Sequence, residues 1–264
     1  MRLLIVHPSL NRCGGAERVC LATVKALSAR GHNVHLATID RIDCQLLEER
    51  FWSVQRPQTE EYMLNSIPFS GSLSQAAYTV AFFLPLLAYQ GTAGEFDLMV
   101  NTYGDLDEPN ADVSYINAIQ FRLRHLFPNS IFQSSAMRVF TSGFRLFSFP
   151  AHKLLTSNVP LTNSTFMRDI IRRHYARDCA VIFPPVNLQR FKHAEKLERR
   201  NLVVTVTRLR RGKELEIIPR IARYVRNCRF IIFGLSDAGS EQSLDALNRS
   251  IRVVDLLLQV RART

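Results

Sequence analysis

Residues 8–19 read Pro-Ser-Leu-Asn-Arg-Cys-Gly-Gly-Ala-Glu-Arg-Val, and this stretch decides the predicted fold of the chain. It follows a short apolar run at residues 3–6 and precedes an amphipathic run at residues 19–27. That order predicts a strand, a glycine-bearing loop and a helix, whose N-terminal N–H groups attract an anion. Gly14 and Gly15 lack a Cβ atom, so another group can approach them closely. A tight turn without a ligand stays open as the alternative, because a single glycine pair is a weak motif.

The neighbouring segments extend this beginning into a parallel α/β fold. The first helix is predicted over residues 17–30, with Gly31 as its stop signal, and a second strand over residues 34–39. Together these segments make a right-handed βαβ unit. Further strands are predicted over residues 97–101, 112–116, 154–156 and 180–183, and further helices over residues 44–50 and from Ser164 or Thr165 to His174.

A second unit of the same kind is predicted after a polar, charged linker at residues 187–200. Its predicted elements are a strand over 202–207, a basic loop over 208–212, a helix over 213–225, a strand over 229–233 and a helix over 240–249. We therefore divide the chain into an N-terminal Rossmann-like domain, residues 1–195, and the beginning of a second Rossmann-like domain, residues 196–264.

Composition indicates a globular protein. The chain has 264 residues, of which 47% are hydrophobic and 22% charged, and this balance is not that of a disordered chain. Its five cysteines are scattered and none forms a Cys-x-x-Cys pair, which argues against a zinc site or a disulfide framework. Reduced thiols and a cytoplasmic location fit this pattern. The first apolar run is too short for a signal peptide and is predicted to be a buried strand.

Positive charge is concentrated in two regions. Of the net charge of +11, the segment from Arg190 to Arg229 carries 13 Lys or Arg against 4 Glu, while residues 113–168 hold six basic residues and no acid. Such fields attract phosphates or an anionic membrane surface. Nucleic acid is not predicted, because no nucleic-acid motif accompanies the charge.

The apolar run at residues 73–89 is too short to span a bilayer, which needs ~20 apolar residues. We predict a buried helix there, with a segment on a membrane surface as the alternative.

Three passages carry a family resemblance. The first, residues 7–19, begins His-Pro and continues as Asn-x-x-Gly-Gly-x-Glu-Arg-Val. The second joins Asn163, Ser164 and Arg168 to Phe-Pro-Pro-Val-Asn at residues 183–187, and the third is Arg-Leu-Arg-Arg-Gly-Lys at residues 208–213. In this order and spacing they resemble GT-B fold glycosyltransferases of the group 1, or family 4, type. The first loop is most similar to that of lipid-linked-oligosaccharide mannosyltransferases.

This resemblance implies an enzyme that transfers a hexose from a nucleotide-sugar donor to a lipid-linked or glycan acceptor with retention of configuration. The first loop alone implies that the hexose is mannose. It also implies that the N-terminal domain holds the acceptor and the second domain the nucleotide. Arg208 and Lys213, five residues apart across a strand–helix loop, are the candidates for the donor diphosphate, because positioned cations stabilise charge that builds on phosphate oxygens. Ordinary surface charge is the alternative. No metal and no other cofactor is predicted, since the nucleotide sugar is a substrate.

The other candidate site residues belong to the N-terminal domain. They are Gly14, Gly15, Glu17 and Arg18 in the glycine-rich loop, and His7, Asn117 and Ser164 on the acceptor or sugar side. His7 also fits a partly buried histidine at a strand end. The family's Tyr-Ile-His passage reads Tyr-Ile-Asn here, ending at Asn117, and an asparagine can bind a sugar hydroxyl but cannot carry a proton. No catalytic residue is assigned.

A second departure concerns the donor side. The family carries two glutamates separated by seven residues, and the chain reaches Thr264 without such a pair. We therefore expect an acceptor domain with an incomplete donor domain and no transfer by these residues alone. Two rival predictions remain: a non-catalytic acceptor-binding subunit whose second chain supplies the donor half, and a nucleotide-dependent Rossmann oxidoreductase, which would need Gly-x-Gly-x-x-Gly after the first strand. For a transferase we expect a cytoplasmic protein, peripheral on the cytoplasmic membrane face.

Overall fold

A computed structural model describes residues 1–51, 57, 59–62, 94–104, 111–117, 159–188, 201–209, 213–225, 227–236 and 256–262. The chain divides into two compact units, Met1–Val186 and Asn187–Thr264. The predicted domain boundary at 195/196 lies outside the described residues. Each unit is built on its own parallel sheet, which confirms the predicted α/β class.

The N-terminal unit contains seven parallel strands and three described helices. In chain order they are β1 (Arg2–Val6), α1 (Gly15–Ala29), β2 (Asn33–Thr38), α2 (Cys44–Phe51), β3 (Thr59–Tyr62), β4 (Leu98–Gly104), β5 (Val113–Ile116), β6 (Val159–Thr162), α3 (Thr165–Tyr175) and β7 (Ala180–Val181). The sheet has the strand order β3-β2-β1-β4-β5-β6-β7. Strand β1 therefore lies between β2 and β4, and the carboxyl ends of all these strands meet at one edge of the sheet.

The core of this unit forms where α1 covers the centre of the sheet. Ile5 and Leu36 are fully buried strand residues, and they share a cluster with Cys20 and Val24 of α1. Helix α1 ends as predicted before Gly31, whose φ of +80° is the left-handed conformation that favours glycine after a helix. The helical spacing of the apolar residues in α1 thus accounts for both its buried face and its position on the sheet.

The second unit contains β8 (Leu202–Arg208), α4 (Ile217–Ala222), β9 (Arg229–Ser236) and β10 (Leu256–Ala262). Its three strands are parallel, in the order β10-β9-β8. Its buried cluster joins Leu209 and Leu215 to Ala222, Phe230 and Ile232. A Cβ atom added to Gly234 in β9 would clash with the side chain of Leu209, so glycine allows this close packing without a shift of Leu209.

Several predicted elements differ from the structure. The helix predicted over residues 213–225 is wrong in extent, because Glu214 has a φ of +47° and α4 begins only at Ile217. The strand predicted over residues 180–183 is limited to the two residues of β7. Strands β3, β6 and β10 were not predicted; β6 contains Pro160, which cannot donate a ladder hydrogen bond and argues against a strand. The strand predicted over 154–156 and the helices predicted over 73–89 and 240–249 lie outside the described residues, as does most of the acid-free basic segment.

The described helices are all too short or too polar to cross a lipid bilayer. All five cysteines are free thiols.

Candidate functional site

Polar residues lie at or just after the carboxyl ends of four neighbouring strands of the large sheet. They are His7 after β1, Thr102 in β4, Asn117 after β5, and Asn163 and Ser164 after β6. Ligands bind outside the carboxyl ends of the strands in open parallel sheets. This edge therefore is where a binding site is expected, and three of its residues were candidates from the sequence.

Hydrogen bonds join these residues into one network. His7 Nδ1 lies 2.9 Å from Thr102 Oγ1, and Asn117 Nδ2 donates to the Thr102 carbonyl oxygen at 3.4 Å. Asn163 Nδ2 donates to the Asn117 carbonyl oxygen at 2.9 Å, and Ser164 Oγ donates to Asn163 Oδ1 at 2.8 Å. A chain of hydrogen bonds thus connects His7, Asn117 and Ser164. Thr102 and Asn163, which were not candidate site residues, supply its intermediate links.

Ser164 is also the N-cap of α3, and it is one of the two residues that the sequence predicts for this position. Its backbone is extended, and its hydroxyl oxygen accepts a hydrogen bond from the Met167 N–H at 3.2 Å. A serine in this position satisfies one of the helix's first N–H groups. Both the donor and one acceptor site of this hydroxyl are therefore engaged within the protein.

His7 is completely buried below the glycine-rich loop. Its Nε2 atom lies 3.9 Å from Oε1 of Glu17, which is also buried, and its ring meets that of Tyr103 edge-on, with centroids 5.6 Å apart. Burial acts to lower the pKa of His7, but interactions with Cys20 and with the Glu17 carboxylate outweigh it and raise the pKa to about 9. Burial alone would raise the pKa of Glu17, yet His7 and the Gly14 N–H lower it overall. Both shifts favour the charged pair.

Glu17 links this buried pair to the loop. Its Oε2 atom accepts a hydrogen bond from the Gly14 N–H at 2.7 Å. Gly14 is the N-cap of α1, and Glu17 is the third residue of the helix. The next loop candidate, Arg18, places its guanidinium over the ring of Phe51 in α2, 5.4 Å from the ring centroid. Glu17 therefore holds the loop through its hydrogen bond with the Gly14 N–H, while Arg18 packs against α2.

Gly15 borders open space at the first position of α1. A Cβ atom built on it would meet no atom within 4 Å, and the residue is exposed. The first N–H groups of a helix have no partner within the helix, and they lie where the helix dipole is positive. An anionic group can therefore reach the start of α1 at Gly15 without displacing a side chain.

A second polar network holds the loop against the β2–α2 connection. Asn11 Nδ2 donates to Asp40 Oδ2 at 3.0 Å and to the Arg41 carbonyl oxygen at 2.8 Å, while Asn11 Oδ1 accepts from the Asp43 N–H at 2.8 Å. Ser9 Oγ donates to the same Asp40 oxygen at 2.7 Å. Burial raises the pKa of Asp40, although the hydrogen bonds from Ser9 and Asn11 act to lower it. Asn11 belongs to the loop motif, but the sequence predicts no role for it or for Asp40.

The donor-side candidates lie in the second unit. Arg208 ends β8, and Lys213 is exposed shortly before α4. The residues between Leu209 and Lys213 lie outside the described part of the chain, so the convergence of Arg208 and Lys213 on one diphosphate stays a prediction. Within the described ranges, no group of three His, Cys, Asp or Glu side chains is arranged to hold a metal ion, and the prediction of a metal-independent site is untested.

The fold is that of the GT-B glycosyltransferases. The whole chain aligns with 70% of WaaG, a glycosyltransferase involved in lipopolysaccharide biosynthesis, at a TM-score of 0.59 and 12% identity. It aligns with 74% of the catalytic domain of starch synthase IV from Arabidopsis thaliana, solved with ADP and acarbose bound, at a TM-score of 0.54 and 12% identity. It also aligns with 77% of TarM at a TM-score of 0.54 and 9% identity. At these identities the likeness establishes the fold.

Sequence comparison adds nothing to this: no protein-family model and no curated protein matches the chain.

Proposed function

We propose that this protein is a glycosyltransferase that moves a sugar from a nucleotide-sugar donor to a hydroxyl group of an acceptor. The observation that carries the proposal is the start of α1: Gly15 borders open space at the carboxyl edge of the sheet, in a chain with the GT-B fold. An enzyme of this class must stabilise a departing diphosphate, and a helix N-terminus without an obstructing side chain suits that need.

The chemistry assigns different tasks to the two units. The bond between the sugar's C1 and the diphosphate breaks, and a new bond forms between C1 and the acceptor oxygen, whose proton passes to the departing diphosphate. Negative charge grows on the diphosphate during this step, and Arg208 and Lys213 are the cations proposed to stabilise it. Asn117 is proposed to orient a sugar hydroxyl, since its amide can donate and accept hydrogen bonds but cannot take a proton.

The finer specificity rests on the resemblance of the first loop. It supports GDP-mannose as the donor, a lipid-linked glycan as the acceptor, and retention of configuration at C1. The basic charge of the chain supports a peripheral position on an anionic membrane, where its acceptor would be held.

A donor screen tests the class of substrate. Saturation-transfer NMR on the full chain with GDP-, UDP- and ADP-sugars should show one nucleotide sugar bound in preference to the others. Mass spectrometry after incubation with GDP-mannose and a lipid-linked acceptor then tests transfer, and product formed by these residues alone would overturn the expectation that they do not transfer sugar. A chain that binds none of the nucleotide sugars would overturn the proposal.

A variant at Gly15 tests the site itself. Gly15→Val should leave the fold intact, because its side chain enters open space, yet it should abolish binding of the nucleotide sugar or of the acceptor. Ala29→Val, at the exposed far end of the same helix, is the matched control and should bind like the unmodified chain. Unchanged affinities for donor and acceptor in Gly15→Val would remove the loop from the site.

A further inference from the structure

The hydrogen atoms around His7 can be assigned from the geometry. The Thr102 hydroxyl lies 3.2 Å from the Val6 carbonyl oxygen, which can only accept, so the single hydroxyl hydrogen points there. The same hydroxyl oxygen lies 2.9 Å from His7 Nδ1 and must accept a hydrogen bond from it. His7 therefore carries a proton on Nδ1.

The other ring nitrogen is then decided by its surroundings. His7 Nε2 is buried and has no hydrogen-bond partner among the described residues, and its nearest charged atom is Glu17 Oε1 at 3.9 Å. With a neutral ring, the Nε2 lone pair would face the buried Glu17 carboxylate and could receive only the weak S–H donor of Cys20, which is unfavourable without water between ring and carboxylate. A protonated Nε2 instead makes an imidazolium–carboxylate pair. The other titratable groups that face the ring are Cys20 of α1, buried, and Tyr103 of β4, whose ring packs edge-on.

Glu17 also needs a compensating charge if its helix end is to attract an anion. Its carboxylate lies in the first turn of α1, where it would repel an incoming phosphate. A cationic His7 at 3.9 Å brings the net charge of the pair to zero, so that the dipole and the free N–H groups of the helix start still favour an anion. The Glu17 carboxylate can then accept a hydrogen bond from the Gly14 N–H while a negatively charged ligand can still bind at the loop.

We propose that His7 is a positioning residue that is protonated on both ring nitrogens, holds Glu17 against the Gly14 N–H, and cancels the carboxylate charge beneath the glycine-rich loop for a phosphate-bearing substrate. This inference rests on the proposed function for the nature of the substrate, but the charge state of His7 and the hydrogen bond at Gly14 stand apart from it.

The charge state is tested on the unmodified chain. In ¹⁵N–¹H correlation spectra of the histidine rings, both nitrogens of His7 should show the protonated signature at pH 7, and one should lose it only as the pH rises toward 9. A neutral His7 ring at pH 7 would overturn the proposal, whatever the protein binds.

The positioning role is tested with two isosteric changes and one control. In His7→Gln and in Glu17→Gln, amide exchange at Gly14 should quicken by about tenfold, the worth of one net hydrogen bond, while Glu95→Gln, at an exposed turn, should change nothing. Unaltered Gly14 exchange in both variants would refute the positioning role. If His7→Gln does not fold, Glu17→Gln carries this test, because an amide oxygen without the carboxylate charge is a weaker acceptor for the Gly14 N–H and no longer attracts the imidazolium.

Binding of two phosphate-bearing probes then separates the ligand sources. GDP-mannose represents the donor and farnesyl diphosphate the lipid-linked acceptor. The affinity for whichever probe binds should fall about tenfold in His7→Gln at pH 7, and the decline that the unmodified chain shows as pH rises through about 9 should be absent from that variant. A parallel decline in both chains would refute the role of His7 in binding. Failure of both probes to bind the unmodified chain would reject the proposed function, with the ring spectra and Gly14 exchange still deciding the state of His7.

Discussion

The two strand–loop–helix connections that begin the two units are built by different means. After β1, polar groups hold the loop: the buried pair of His7 and Glu17, and Asn11, a partly exposed residue of the loop itself. After β8, the described part of the connection is anchored by apolar residues, Leu209 and Leu215, which are both buried. Within the described residues, the first connection therefore adds a polar network to a buried apolar residue, Leu10, whereas buried apolar residues anchor the second.

This difference has a functional consequence. Hydrogen bonds have preferred lengths and directions, so the network after β1 constrains the positions of individual loop atoms. Hydrophobic packing is non-directional and sets the position of a strand or helix as a whole. The first loop is thus built to present backbone N–H groups in one geometry, and that requirement is typical of a ligand site. Four substitutions or conditions sharpen the contrast.

The largest effect is expected at His7. In His7→Leu the Glu17 carboxylate is left buried without its counter-charge, which should lower the free energy of unfolding of the first unit by about 3–5 kcal/mol. Hydrogen exchange of the β1 and β4 amides measures it. The double variant with Glu17→Leu should regain most of the loss, because no charge then remains buried. Equal losses in the single and double variants would mean that packing, rather than charge, holds the loop.

The pH dependence of stability comes next. The pKa of His7 is raised from 6.5 to about 9 in the folded chain, so its contribution is fully present below pH 6.5 and is lost as pH rises through about 9. The size of this loss is about 3 kcal/mol, at ~1.4 kcal/mol per pKa unit. Glu17 has a lowered pKa, and its contribution is present above pH 4.5 and lost as pH falls through that lowered value.

Urea unfolding at a series of pH values checks both signs. We expect the contribution of the pair to be greatest between pH 4.5 and 6.5. His7→Gln should show a flatter profile between pH 7 and 9 than the unmodified chain. A profile that rises through this window in the unmodified chain would contradict the cationic state of His7.

The apolar connection is tested at a glycine. Gly234→Ala introduces a Cβ atom against the buried side chain of Leu209 and should destabilise the second unit by about 2 kcal/mol, the usual cost of overpacking. Gly15→Ala provides the contrast, because its Cβ atom meets open space and should leave stability nearly unchanged. Hydrogen exchange of the β8 and β9 amides gives the first value, and thermal unfolding gives the second. A harmless Gly234→Ala would show that Leu209 can move aside.

Part of the framework of the first unit could be predicted from the sequence. The buried run of β1, the helical periodicity of α1 and the capping serine at Ser164 follow from local patterns. Strand β6 was not predicted, because it has only four residues and one of them is Pro160. Helix α4 is shorter than its apolar pattern suggests because Glu214 leaves the right-handed region.

The polar part could not be predicted in the same way. His7 and Thr102 are separated by 95 positions, and their hydrogen bond exists only because β4 pairs with β1 in a particular register. The pairing of Asn11 with Asp40 likewise depends on how two loops meet at the sheet edge. Glu17 was a candidate as part of a motif, but its burial beside His7 is a tertiary property. Local sequence carries no record of which distant residue supplies a hydrogen bond.

The smallest effect is expected at Asn11, and it decides whether the second polar network only supports the loop or is needed for it. Asn11→Ala removes hydrogen bonds to Asp40, Arg41 and Asp43, and because the site is partly exposed, water replaces much of what is lost. We expect a loss of about 1 kcal/mol in the free energy of unfolding, close to the net value of one hydrogen bond. Asn33→Ala is the matched control: the Oδ1 atom of Asn33 has no hydrogen-bond partner in the described part of the chain, and its removal should cost less. Urea unfolding of both variants at pH 6 separates them. If Asn11→Ala costs as much as His7→Leu, the β2–α2 connection is an equal anchor of the loop, and the buried pair at His7 loses its special place in the contrast between the two units.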